Sequence, residues 1–328
     1  MSFAVPGYSG MLYQKGNSKT PLITQIMGRQ KYSNSVEFVL GQEYVEEEGA
    51  IPAISETASL TAPDPTYITR EQKTNVTQIY HETLAISYAK QSNMGTLSGV
   101  NNAGQIVNPQ DELAFQVARK MSKIRNSMEK AFIQGTYNKA TTDATINKTR
   151  GLVAAITTNT VAAEGAALNI FMIDRLLATM DNNGADISNI SLWLDNTSRS
   201  QLIANAVEMG VPVGEPFVNA FGLRVETLVL QNGNVTLVSG KYLPSGTVLL
   251  LNLGAIAPVG MITPGKGNFF LEELARTGAG SKYQIFGQMG LDYGMEFLHG
   301  KITGLSTTYA EPVGKKVVIV SGDDVVSA

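Results

Sequence analysis

No cysteine occurs anywhere in the 328 residues. Disulfides, thiolate metal ligands and a cysteine nucleophile are therefore excluded. There are only two histidines, His81 and His299. They lie far apart, and neither has a metal-ligand partner at i+3 or i+4. Both are read as structural or incidental. Charge is also scarce: Asp, Glu, Lys and Arg make up 16% of the chain, against about 25% in average soluble domains. The net charge of −3 gives no field strong enough to mark a dedicated nucleic-acid or membrane binder. No run approaches the ~20 apolar residues of a spanning helix. The opening MSFAVPGYSG has neither a basic region nor an apolar one, so no signal peptide is expected.

Nucleotide and hydrolase signatures are missing as well. No G-x-S-x-G elbow is present. Pro264-Gly265-Lys266-Gly267-Asn268 lacks Walker A spacing, so it reads as a turn. Glu46-Glu47-Glu48 does not converge on a cation, because consecutive strand residues face opposite ways. Asn75, Asn196 and Asn234 start Asn-x-Ser/Thr triplets that carry little meaning without a secretory signal. No catalytic, cofactor or metal site is expected.

What is present is an uneven charge pattern. Residues 1–34 hold Lys15, Lys19, Arg29 and Lys31 and no acid, a local charge of +4. One short helix is predicted there, with Thr20 as N-cap, Pro21 first and Gly28 at its end; the rest is an extended arm. Residues 35–69 hold Glu37, Glu43, Glu46, Glu47, Glu48, Glu56 and Asp64 and no base, a local charge of −7. Val36 to Leu40 opens a strand, and prolines 52, 63 and 65 forbid a helix. From Thr74 to Tyr88, Val76, Tyr80, Leu84, Ile86 and Tyr88 share one parity. The segment is read as a long two-stranded excursion with an acidic, proline-rich tip. Such a hairpin is marginal alone and needs something to lie against.

Residues 108–134 give the clearest helix. Asn108 caps it, Pro109 opens it, and Asp111 and Glu112 suit its dipole. Leu113, Val117, Met121, Ile124, Met128 and Phe132 step by 3 or 4, and Gly135 ends it. Residues 136–167 read as a loop around Leu152 to Ile156. Then a compact α+β region begins. It has a helix from Ile170 to Asp181, a buried strand Ile190 to Leu194 holding the single tryptophan, and a helix to Glu208. A hairpin with a tight primed turn at Asn232-Gly233 and a strand Val248 to Leu253 follow. Tyr283, Ile285, Met289, Leu291 and Tyr293 alternate again, with Gly287, Gly290 and Gly294 predicted as bulges or bends. Val317 to Val320 reads as a swapped or edge strand.

The order of arm, β excursion, long helix and α+β region resembles the tailed-phage major capsid fold, the Hong Kong 97 fold. Particular stretches are similar to its SU10 branch: Thr20-Pro21-Leu22, the helix through Phe132 followed by Arg150-Gly151-Leu152, Leu274 to Gly278, Gly287 to Gly294, and His299 to Leu305. The resemblance implies an α+β fold divided as follows. An N-terminal arm takes 1–34, an E-loop β excursion 35–92, and a P-domain 93–167 with its spine helix at 108–134. Residues 168–268 are mainly A-domain, residues 269–310 return to the P-domain, and 311–328 form a C-terminal extension.

It further implies a non-enzymatic subunit that self-assembles through hexamers and pentamers into an icosahedral or prolate shell around double-stranded DNA. Implied partners are portal, scaffolding or decoration proteins and, non-specifically, DNA; no cofactor or membrane is implied. The location is the virion, with assembly in the host cytoplasm. Inter-subunit contacts are expected from Lys15, Lys19, Arg29 and Lys31 of the arm, Glu43, Glu46, Glu47 and Glu48 of the excursion, and Arg119, Lys123 and Lys130 of the spine helix. No Lys–Asn cross-link is expected. Two other readings stand beside this one: an encapsulin-like compartment with the same fold, and a phage tail or adhesion protein.

Overall fold

In the computed structural model, residues 19–47, 49–62, 64–89, 112–209, 217–218, 224–276 and 278–308 are described. In chain order they form α1 (Pro21–Ile26), β1 (Lys31–Ser33), β2 (Glu37–Glu43), β3 (Glu71–Val76), β4 (Gln78–Ser87) and α2 (Glu112–Gln134). Next come α3 (Leu152–Ala155), β5 (Thr160–Ala162), α4 (Ile170–Asn182), β6 (Ile190–Leu194), α5 (Asn196–Met209) and β7 (Phe217–Val218). Last are β8 (Arg224–Leu230), β9 (Gly233–Ser239), β10 (Val248–Asn252), β11 (Ala257–Met261), β12 (Phe269–Leu274), β13 (Gly280–Asp292) and β14 (Gly300–Thr303). The chain divides into two compact units, each discontinuous in sequence: 1–154 with 255–295, and 155–254 with 296–328.

The first unit is built on β13, a strand of 13 residues. β4 runs antiparallel along one side of it. On the other side β11 and β12 follow one another, and β1 adds to β11 in parallel. Helix α2 packs on β4 and β13 and also receives α1. Its 23 residues span about 34 Å. Its apolar stripe is fully buried only in the C-terminal half, at Ile124, Met128 and Phe132. Asn108, Pro109 and Asp111, expected to start the helix, lie outside the described residues.

The second unit is a seven-stranded mixed sheet in the order β5-β14-β10-β6-β9-β8-β7. β6 and β10 are mostly apolar because both faces are covered: Leu192, Trp193, Leu249 and Leu250 are all buried, as is Ser191 within β6. Helix α4 brings Ile170, Ile173, Leu177 and Met180 inward, as its spacing predicts, and Asn169 caps it by accepting from Met172 N.

Several expectations are corrected. The excursion is two-stranded with an acidic tip, as expected, but its second strand is shorter than predicted. β2 pairs with β3 only, and the chain then breaks at Thr77 and continues as β4, which joins β13 instead. Alternation alone gives a strand's faces, never its partner. Tyr88, expected on the buried parity, is exposed. The hairpin turn falls one residue earlier than predicted: Leu230 pairs with Gly233, so Gln231 and Asn232 are the loop. Neither takes a positive φ, so it is not a primed turn. Asp174 of α4 holds it by accepting from Asn232 N at 3.2 Å, a tertiary contact that overrides the local preference.

Gly287 and Gly290 are not bulges either, since the β13 register runs through both. They give room: a Cβ on Gly287 would sit 2.2 Å from the Phe269 ring, and one on Gly290 would sit 2.7 Å from Val76 O. The loop 136–167 contains α3 and the parallel strand β5, too short to show in periodicity.

Candidate assembly surfaces

The ribbon of β2 and β3 is tied down at its base. Glu37 accepts from Thr74 Oγ1 at 2.9 Å and from Lys139. The Lys139 ammonium, and then the Thr74 hydroxyl, hold its carboxyl below the usual range. A groove of about 760 Å³ opens there, lined among others by Val36, Ile79, Lys139 and Ile146. Farther out Lys73 lies 2.8 Å from Glu71 and 3.0 Å from Glu43, and the two acids raise its pKa. Beyond Glu43 every described residue to Arg70 is exposed. That includes Tyr44, Val45, Ile51, Ile54, Leu60, Tyr67 and Ile68, with Ile51 93% exposed. Isolated exposed apolar residues are ordinary; seven along one acidic excursion are not.

The helix α2 offers cations. Arg119, Lys123 and Lys130 are exposed and fall within about 40° of one another around the axis. Arg119 lies 5.6 Å over the Phe115 ring. Lys123 is partly committed, because it and Lys120 (2.8 Å) both bind Glu82 of β4. Burial raises the Glu82 pKa, but the hydrogen bonds from Lys120 and then Lys123 outweigh it and the net shift is downward. A depressed carboxyl stabilises the fold above its unfolded pKa and loses that contribution as pH falls through the native value. Glu82→Gln is thus expected to cost about 1 kcal/mol at pH 7, with the difference from wild type fading below pH ~4. Urea melts at pH 7, 5 and 3 measure this; a difference that stayed constant with pH would refute it.

The other expected contact residues are distributed as follows. Lys15 and Glu48 lie outside the described residues. Lys19, Arg29, Glu46 and Glu47 are exposed. Lys31 is turned onto its own subunit, 2.7 Å from the buried Asp292. Glu43 likewise binds Lys73 within its own ribbon. His81 is exposed with Nε2 3.3 Å from Gln284 Oε1. His299 is buried, and its Nδ1 accepts from Asn252 N at 3.2 Å.

Three carboxyl and amide groups that order these surfaces were not foreseen. Glu129 of α2, fully buried, accepts from Leu22 N at 2.9 Å and Ile23 N at 2.8 Å. It performs the capping expected of Thr20, whose side chain makes no cap bond. The one signal was an acid adjoining the apolar stripe at Met128. Asn75, also fully buried, joins β3 to Arg150 and to Leu291 of β13. In the second unit Glu296 accepts from the backbone N–H of Thr157 (2.7 Å) and Thr158 (3.1 Å). Burial raises its pKa, but those backbone and hydroxyl donors prevail and lower it. No sequence pattern marked Glu296, and the triplet at Asn75 gave no sign of a buried junction.

Among the described residues no three His, Asp or Glu side chains gather as a metal site, and no helix is long and apolar enough to cross a membrane. The model of one protein family, SU10 major capsid protein, matches residues 1–306. Among curated proteins none matches. The fold is similar to the subunit in the cyanophage A-1(L) capsid asymmetric unit, with TM-score 0.67 and 12% identity over 91% of this chain and 96% of that one. It is also similar to the cyanophage P-SCSP1u capsid, with TM-score 0.54 and 9% identity over 93% and 94%. The holo-SrpI encapsulin complex of Synechococcus elongatus PCC 7942 gives TM-score 0.57 and 11% identity over 91% and 94%. At these identities the likeness speaks for fold alone, and that fold is α+β and Hong Kong 97-like.

Proposed function

The chain belongs to the SU10 major capsid protein family, and from that premise we propose how this bacteriophage capsid subunit builds its shell and what the shell holds. Copies self-associate by laying the acidic ribbon of one subunit across a neighbour. The observation that carries this is the excursion 44–70, whose seven large apolar side chains are exposed among the described residues. The cations Arg119, Lys123 and Lys130 of a neighbour's α2, with Lys15, Lys19 and Arg29, complement Glu46, Glu47 and Glu48. Charge of this kind fixes partner and register more than it supplies affinity. The apolar contacts supply the affinity. Many modest interfaces then close a shell, through heterologous contacts that form rings.

The enclosed cargo is double-stranded DNA, bound non-specifically at the inner face, with portal and scaffolding proteins as partners and the host cytoplasm as the place of assembly. An encapsulin complex shares the fold, so a compartment holding protein is the second reading. Nuclease-treated particles separate the two, because only the genome reading leaves protected DNA.

Electron microscopy of the purified chain tests assembly. Closed shells, tubes or sheets of hexagonal rings are expected. Glu46→Lys with Glu47→Lys places like charges together, which costs several kcal/mol per contact. The assembled fraction should fall about tenfold or more. Shells as abundant as wild type would remove the acidic ribbon from the interface. Small oligomers only, even on co-expression with portal and scaffolding partners, would remove the shell reading.

A further inference from the structure

The family match ends at residue 306, and beyond it the sequence carries Lys315-Lys316-Val317-Val318-Ile319-Val320-Ser321-Gly322-Asp323-Asp324. Residues 317–320 are all β-branched, the side chains that best suit a strand. As a strand these residues would be apolar on both faces, as the strands of a covered sheet are. The lysine pair before it and the aspartate pair after it are the flanking charges that keep an apolar strand from indiscriminate pairing.

The first unit holds an edge that fits it. Beside β13, β1 closes the outer edge of β11, whereas β12 pairs with β13 alone among the described residues. The outward N–H and C=O groups of β12 are an open ladder. Its residues run Phe269-Phe270-Leu271-Glu272-Glu273-Leu274. Phe269 lies over Gly287, Phe270 stands 5.8 Å from Phe286, and Leu271 is 46% exposed. The Glu272 and Glu273 side chains reach the surface, bound to Lys266 and Arg276.

We propose that residues 315–320 of a neighbouring copy add to the outer edge of β12 as an antiparallel strand; this rests on the capsid reading. One register makes four of the six pairs favourable and leaves Val317 opposite Glu272 and Lys315 opposite Leu274. Val320 stands opposite Phe269, Ile319 opposite Phe270, Val318 opposite Leu271, and Lys316 opposite Glu273. Aromatic against β-branched and base against acid are the favourable cross-strand pairs. A parallel strand would set both lysines against the phenylalanines. Main-chain pairing provides the grip, and the side chains set the register. The link joins two subunits without a covalent bond.

The chain's lack of cysteine gives a clean test. Directly paired strand residues are within disulfide reach, so Lys316→Cys with Glu273→Cys should cross-link on mild oxidation. Val313→Cys with Glu273→Cys is the control, displaced by about 10 Å along the strand. On a non-reducing gel the first pair should give chain multimers at least tenfold in excess of the control. Shells on the grid with no excess cross-link overturn the pairing and leave the capsid reading intact. A bond closed within one chain overturns the neighbour's part in it. Multimers without shells support the pairing and count against the capsid reading. Because cysteine could disturb folding, a charge exchange gives a second measure: Lys316→Glu alone should reduce assembly, and Glu273→Lys beside it should restore it. Failure of that rescue overturns the register.

Discussion

Replacing Glu129 with alanine is expected to destabilise the unassembled subunit by about 3–5 kcal/mol, since it strands two buried backbone N–H groups at about 1–3 kcal/mol each and leaves a hole. The carboxylate is fully buried and spans from α2 to the first turn of α1, at 2.9 and 2.8 Å from Leu22 N and Ile23 N. Helix α1 has six residues, too few to stand without tertiary support. Leu22, Ile23 and Ile26 are buried against the subunit, so freeing them would expose apolar surface as well. Glu129→Gln keeps one acceptor oxygen and should recover about half the loss. Urea titration with an unchanged m-value measures the difference. Hydrogen exchange at Leu22 and Ile23 localises it. A loss under about 1 kcal/mol, with both amides still protected, would refute the role. For assembly the consequence is direct: α1 and the Lys31–Asp292 pair (2.7 Å) fasten residues 20–33 to their own subunit, so they set where the preceding residues begin their course.

Asn75→Ala is expected to cost a similar amount, about 3–5 kcal/mol. The amide is fully buried, and its oxygen accepts two hydrogen bonds while its nitrogen donates two. Its Oδ1 accepts from Val76 N at 2.9 Å and Arg150 N at 2.8 Å, while Nδ2 donates to Leu291 O at 2.7 Å and Arg150 O at 3.2 Å. This one side chain joins β3, the segment following α2, and β13. Asn75→Asp sharpens the test. It has nearly the same shape, but at neutral pH it sets a carboxylate oxygen against two carbonyls and leaves no donor. It should be at least as damaging as alanine. A melt showing Asn75→Asp close to wild type would mean that the amide fills space and does not organise the junction. Since β2 pairs with β3, loosening Asn75 should also loosen the root of the ribbon proposed to join subunits.

The sequence reading succeeded where the signal is local. Spacing of 3 and 4 located α2 and α4, and short, mostly apolar runs located β6 and β10, because the pattern directly records which sides of an element meet the core. The charge imbalance along the chain located the acidic ribbon. Order and family likeness then placed the chain among capsid proteins.

Partner choice was not legible. β4 alternates as a strand should, yet nothing within Gln78–Ser87 says that it pairs with β13 and not with β2. Lys31 and Glu43 were expected to face a neighbour, and each meets an acid or base of its own chain, because proximity between residues 261 or 30 positions apart is created only by folding.

The sequence by itself determined the α+β character, the long helix, the strands of the second unit, the acidic excursion and the absence of cysteine chemistry. Only the tertiary structure decided which strands pair, where the tight turn at Gln231-Asn232 falls, and that Glu129 and Asn75 serve as buried junctions. The physical reason is one of range. Helix and strand periodicity are set by a residue's near neighbours, whereas a buried carboxylate or amide is stable only if distant backbone groups arrive to satisfy it.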